Sequence, residues 1–149
     1  MTAQRFSGPV LPDGESRDLY VVDGTITLED FRTGSTDGLV ELDERGLGSL
    51  TLQDRGSGSY TSRVIDSGRK ATWRRLVLDA DQPPGARVLV RVRAGSRATP
   101  DGTWSDWVLA TESSRLDLDG RYVQYAVHLA SASRALPQVR AIGITRNGG

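Results

Sequence analysis

The stretch Asp101-Gly102-Thr103-Trp104-Ser105-Asp106-Trp107 gathers the residues of this chain best suited to chemistry. Two of its three tryptophans lie within four residues, and two carboxylates flank the first of them. Such a group fits two kinds of work. An exposed indole stacks on a sugar ring or anchors a partner. A pair of facing carboxylates performs acid–base chemistry at a glycosidic bond, provided that a cleft holds them opposite each other, and spacing along a chain does not supply a cleft. Turn solvation explains Asp101, Asp106, Asp79 and Asp81 more simply, because Asp bonds its own backbone in turns.

The remaining catalytic vocabulary is short. His128 is the one histidine and stands in "VQYAVHL". Alternation puts Val123, Tyr125, Val127 and Leu129 on one strand face and Gln124, Ala126 and His128 on the other, so His128 reads as a surface residue. Without a second histidine or any cysteine, neither a nucleophile–base pair nor a nitrogen/sulfur metal set can be assembled. No G-x-S-x-G elbow and no phosphate-binding glycine pattern occurs. A calcium site made of loop oxygens stays open, although no D-x-D-x-D-G loop is present. The expectation is a protein without catalytic residues, metal or cofactor.

Two candidate binding sets remain. In a strand, residues three apart point to opposite faces, so Trp104 and Trp107 cannot both face the core. Trp107, in the apolar "DWVLA", is the expected core residue, and Trp104, after the "TPDG" turn, the exposed one. A bulge or loop at 103–105 would break this parity. Trp104, Tyr122, Asp101 and Asp106 are therefore the candidate ligand-binding residues. The second set is basic, since residues 63–97 hold nine positive side chains against three aspartates. In "ARVLVRVRA", Val88, Val90 and Val92 point one way and Leu89, Arg91 and Arg93 the other. Arg91, Arg93 and Arg97 are the expected contacts to an acidic protein surface, with a merely solvated strand face as the alternative. Nucleic acid fits poorly, because the net charge is zero and no aromatics interleave with the cations.

The elements that must position these residues are strands. "LYVVDGTITL" (19–28) is a hairpin around Asp23-Gly24, a type I′ turn that sets Val22 opposite Thr25 and Val21 opposite Ile26. "LVELDERGLGSLTLQD" (39–54) predicts a second, with Val40, Leu42, Leu50 and Leu52 on its inner side. "RGSGS" (55–59) reads as a flexible joint. Six period-two segments follow at 60–66, 73–80, 86–94, 105–110, 121–130 and 139–146, separated by Gly, Pro and Asp turns. "DSGRKATWRR" and "ASASRAL" are the only places for a turn or a short 3₁₀ piece. Short strands about ten residues apart predict an all-β antiparallel sandwich.

A length of 149 residues suits one ordinary domain. The predicted organisation is a hairpin extension over 1–56 and a sandwich over 57–149. Residues 1–56 carry five Arg against eleven acids, a balance of −6, and residues 57–149 carry fourteen Arg and Lys against eight acids, a balance of +6. That asymmetry predicts head-to-tail contact, within one chain or between copies. No apolar run approaches a membrane span, and "MTAQRFSGPVLPDGE" lacks the apolar core of a secretory signal. The expected place is the cytoplasm, or outside the cell if a signal has been removed.

"GSYTSRVIDSG" (58–68), "WRRLVLDADQPPGARVLVRVRAGSRATPDGTWSDW" (73–107) and "GRYVQYAVHLASASRALPQVRAIGITR" (120–146) together resemble a recurrent bacterial β-sandwich module. The shared order is W-x-x-L, a "PPG" turn, T-P-D-x-T-W-S-x-W, R-Y-x-Q-Y and P-x-V-R-x-I. The module is jelly-roll-like. It is appended to secreted propeller-type and carbohydrate-active proteins, and it also occurs in tail and baseplate proteins of contractile phages and phage-like injection particles. The resemblance implies an accessory, non-catalytic role. Together with the missing export signal and the opposite charge of the two halves, it sets the expectation of a structural or attachment protein assembled in the cytoplasm into a tail-like particle, as a trimer or higher homo-oligomer. The alternative it implies is a carbohydrate-binding accessory module that meets a surface glycan.

Overall fold

The computed structural model describes residues 17–22, 25–29, 31, 34–43, 49–111 and 115–147. They form eleven strands and no α-helix. These are β1 (Arg17–Val22), β2 (Thr25–Glu29), β3 (Ser35–Gly38), β4 (Val40–Asp43), β5 (Ser49–Leu52), β6 (Gly56–Thr61), β7 (Ile65–Asp81), β8 (Ala86–Gly95), β9 (Val108–Ala110), β10 (Leu118–Ser131) and β11 (Gln138–Asn147). The all-β, mainly antiparallel architecture follows from the period-two patterning. The first N-terminal hairpin has the expected register, with Val21 opposite Ile26 and Val22 opposite Thr25. In the second, Val40 pairs with Leu52 and Leu42 with Leu50. The hairpin turns at Asp23-Gly24 and 44–48 lie outside the described residues, as do residues 1–16.

Hydrogen bonds link all eleven strands into one sheet, so the two layers expected of a sandwich are portions of a single curled, nearly closed sheet. β7 is the shared strand. Its first part pairs with β10, from Ile65 opposite Val123 to Trp73 opposite Leu118. Its last part pairs with β11, down to Asp81 opposite Gln138. One portion adds β8 and β9 beyond β10, with β6 and then β3 on the other edge of β10. The other carries β1 and β5 along the far edge of β11, and the β1 pairing is parallel.

Three local expectations change. The segment 66–75 contains no chain reversal, because β7 runs through it with Gly68 at a positive φ of 87°. Residues 130–136 end β10 in bends rather than a 3₁₀ turn. Most consequentially, the predicted flexible joint is strand β6, sandwiched between β3 and β10. Gly58 is required there for close approach, since a Cβ would collide with the Leu39 and Val40 amides. Residues on both sides of the expected 56/57 boundary thus share one sheet, and the N-terminal strands pair with their own chain.

The inward faces meet in one core. Trp73, Tyr60, Tyr125, Phe31, Leu50, Ile65, Leu129, Ile142 and Ile144 are fully buried in it. Phe31 meets Tyr60 edge-on at 5.6 Å between centroids, and the Tyr60 hydroxyl donates to the Phe31 carbonyl at 2.8 Å. Trp73 satisfies its indole N–H on the Gly120 carbonyl at 3.0 Å. This inner layer backs the opposite face of β6, β10, β8 and β9, which is presented to solvent.

Candidate binding face

Because β10 sends Val123, Tyr125, Val127 and Leu129 inward, Gln124, Ala126, His128 and Ala130 face out. The same parity turns Arg87, Leu89, Arg91 and Arg93 of β8 outward. Direct strand partners then form rows across this face. One runs Arg93–Gln124; the next Leu109–Arg91–Ala126–Thr61; the next Leu89–His128–Ser59–Asp37; the last Arg87–Ala130–Ser57. Small side chains follow Arg91 and Arg87 in the second and last rows, at Ala126 and Ala130, and His128 stands between them in the third, leaving a shallow lane with arginines along the β8 side.

One end of the lane is closed by the segment 96–107, and here the tryptophan assignment is corrected. Trp104 is buried, at 6% exposure, and Trp107 is the open one, at 36%. The parity argument fails because residues 103–107 are not strand; β9 begins only at Val108. A turn closed by the Trp104 amide on the Asp101 carbonyl, at 3.1 Å, folds the indole back over β8. Gly95 provides the space, since a Cβ there would overlap the Trp104 ring. The indole N–H donates to the Arg97 carbonyl at 3.0 Å. Trp104 is thus buried outside the main core, on the outer face of the sheet.

The Arg93 guanidinium lies over both indoles, 4.3 Å from the Trp107 centroid and 5.5 Å from that of Trp104. Its Nε and Nη2 donate to Gln124 Oε1 at 3.0 and 2.7 Å, and Gln124 Nε2 donates to the Ser62 carbonyl at 2.9 Å. Arg93 is therefore a structural cation, not a free partner contact. Next to this cluster, Tyr122 is half-buried with Arg121 over its ring at 5.2 Å, and Arg121 grips Asp66 through two bonds of 2.7 and 2.9 Å. That grip holds the Asp66 carboxyl below the usual carboxylate range.

The other candidates scatter. Asp101 spends its carboxylate on the Thr103 hydroxyl and amide, which lower its pKa, and on Arg97 at 3.5 Å. Arg97 therefore faces its own loop. Asp106 is exposed beside Trp107. Asp79 and Asp81 flank Arg140 in a chelate-like set of ion pairs at 2.9 and 2.8 Å, and Arg140 first of all lowers the Asp81 pKa. Neither of these aspartates meets Asp101 or Asp106 across a cleft. Among the described residues no three His, Asp or Glu side chains gather as a metal set, and no helix is long and apolar enough to cross a membrane.

Of the predicted partner contacts, only Arg91 stands exposed on the sheet face without an ion pair among the described residues. The face also contains residues that sequence reasoning passed over: Arg87, which shares the parity of Arg91 and was legible from it, and Leu109, exposed at 52%. Gln124 as the acceptor for Arg93 requires the β8–β10 register, which no local pattern encodes. No family model, no curated protein and no solved structure matches this chain.

Proposed function

We propose that this chain is a non-enzymatic attachment protein that works as a homo-oligomer, a tail, baseplate or fibre component of a phage tail-like or injection particle. The supporting observation is the β8–β9 edge, where Trp107 and Leu109 are exposed beside Arg91 on a strand face fixed from beneath by the core. Trp and Arg dominate the energetics of protein interfaces, above all when a rigid scaffold presents them. The occupant is a second copy of the chain. Its acidic half offers Asp37, Glu41 and Asp54 on the exposed surface of β3, β4 and the residues after β5, complementary to Arg91 of β8. The place in a particle rests on the sequence resemblance over residues 58–146.

Light scattering on the purified full-length chain tests this reading. A trimer or larger species is expected, and Leu109→Ser combined with Arg91→Glu should return it to monomer without unfolding it. A monomer at millimolar concentration overturns it. Carbohydrate binding in a secreted protein is the second reading, favoured by the open lane on the same face. With Trp104 buried, its stacking platform would be Trp107, and a glycan array with Trp107→Ala as control decides it.

A further inference from the structure

At the end of the lane away from the tryptophans, the outer face opens into a hollow of about 390 Å³. Gly56, Gly85, Arg87, Leu89, His128 and Ala130 line it. We propose that this hollow binds the carboxylate of an acidic saccharide, a uronic-acid unit of a surface polymer. The attachment reading gives the proposal its context, since an attached particle needs a surface ligand, but the ligand site is separate from the Leu109–Arg91 edge.

Charge is the first argument. Leu89 is the direct partner of His128, and Ala130 of Arg87, so Arg87 and His128 are diagonal neighbours on one face. Diagonal neighbours lie roughly 7–8 Å apart, their Cβ atoms somewhat less, a span that a carboxylate bridges. No carboxylate of the described residues pairs with Arg87 or Arg91, whereas Arg74, Arg121 and Arg140 all hold aspartates at 2.7–2.9 Å. A guanidinium takes a carboxylate through two parallel N–H bonds, and an imidazole N–H supplies a third donor.

Shape is the second. The volume lies in the range of small-molecule sites, about 300–1,000 Å³. Glycines at 56 and 85 and alanine at 130 keep the floor low and open, while Leu89 offers methyl groups to the C–H face of a pyranose ring. An extended acidic peptide fits less well. The usual way for a peptide to join a sheet is strand addition, but the β8 edge is capped here. The Val88 amide donates to Gln82 Oε1 at 3.0 Å and the Ala86 amide to the Pro83 carbonyl at 2.9 Å. Nor does the hollow contain a deep apolar slot for an anchoring side chain.

Calorimetric titration of the full chain with oligogalacturonate is the test, with neutral dextran oligomers and polyglutamate as comparators. Oligogalacturonate should bind, Arg87→Ala and His128→Ala should each weaken it at least about tenfold, and Leu109→Ser should leave it unchanged. Both weakening variants alter outward-facing side chains, and an unchanged unfolding midpoint verifies that they fold. No oligogalacturonate binding, or equal binding by Arg87→Ala, overturns the site. Equal binding of polyglutamate overturns the saccharide assignment, and equal binding of dextran overturns the carboxylate. An oligomer that binds no saccharide loses this proposal and keeps the attachment reading; a monomer that binds it does the reverse.

Discussion

The two ends of the outer face share strands β8 and β10 and both carry arginines, yet they differ in how those arginines are used. At the closed end, Arg93 is held by Gln124 and two indoles, and Arg121 by Asp66. At the open end, Arg87 and Arg91 meet no carboxylate among the described residues. An arginine with its donors satisfied and its faces covered adds rigidity. One standing unpaired on a flat strand contributes little to folding and is free for a ligand. The contrast therefore separates structure from binding along a single strand, β8.

The largest effect that would break this division is at Trp104. Trp104→Ala removes the side chain that closes the end of the lane and leaves a void over Gly95, at a cost of about 3 kcal/mol. A fall in the unfolding midpoint of roughly 6–12 °C is expected for a domain of this size. Trp107→Ala, which takes away a half-exposed ring, should cost under about 1 kcal/mol by the same measurement. Equal costs for the two tryptophans would mean that the closed end is not organised around Trp104.

Gly95→Ala probes the same cluster from beneath. The added methyl meets the Trp104 ring and displaces it, an overpacking cost of about 1–3 kcal/mol. The expected signature is a lowered urea midpoint together with red-shifted tryptophan emission as Trp104 becomes wet. A loss of stability without the spectral change would place the strain in the β8 backbone rather than in the indole contact.

Sequence reasoning reached the strands and missed the way one of them ends. Period-two alternation placed Val88, Val90 and Val92 inside and Arg91 outside, because a strand's geometry repeats every second residue. The same rule inverted the tryptophans, because Thr103–Trp107 is a folded-back segment in which parity has no meaning. The turn signal Pro100-Asp101-Gly102 was visible. Its consequence depended on Gly95, nine residues before Trp104, whose missing side chain makes the slot. Likewise, the Gly/Ser run at 55–59 carries the local signature of a joint, and only its two flanking strands make it β6. Long-range register is the common cause of both misses.

The smallest effect distinguishes the two ends by acid. Arg121 lowers the folded-state pKa of Asp66 below its ordinary value. The pairing therefore stabilises the fold above the unfolded aspartate pKa, about 3.9, and that stabilisation is lost as pH falls through the lowered folded value. Asp66 lies in the row of Tyr122 and Gly95, at the closed end, whereas among the described residues no carboxylate is paired with Arg87 at the open end. Thermal melts between pH 5 and pH 2 should accordingly show a shallower acid-induced decline in Asp66→Asn than in the parent chain. Arg87→Ala should follow the parent curve throughout, within about 0.5 kcal/mol. If Arg87→Ala flattens the acid limb as well, Arg87 has a carboxylate partner in the folded chain, and the distinction between the two ends fails at the residue on which the ligand site depends.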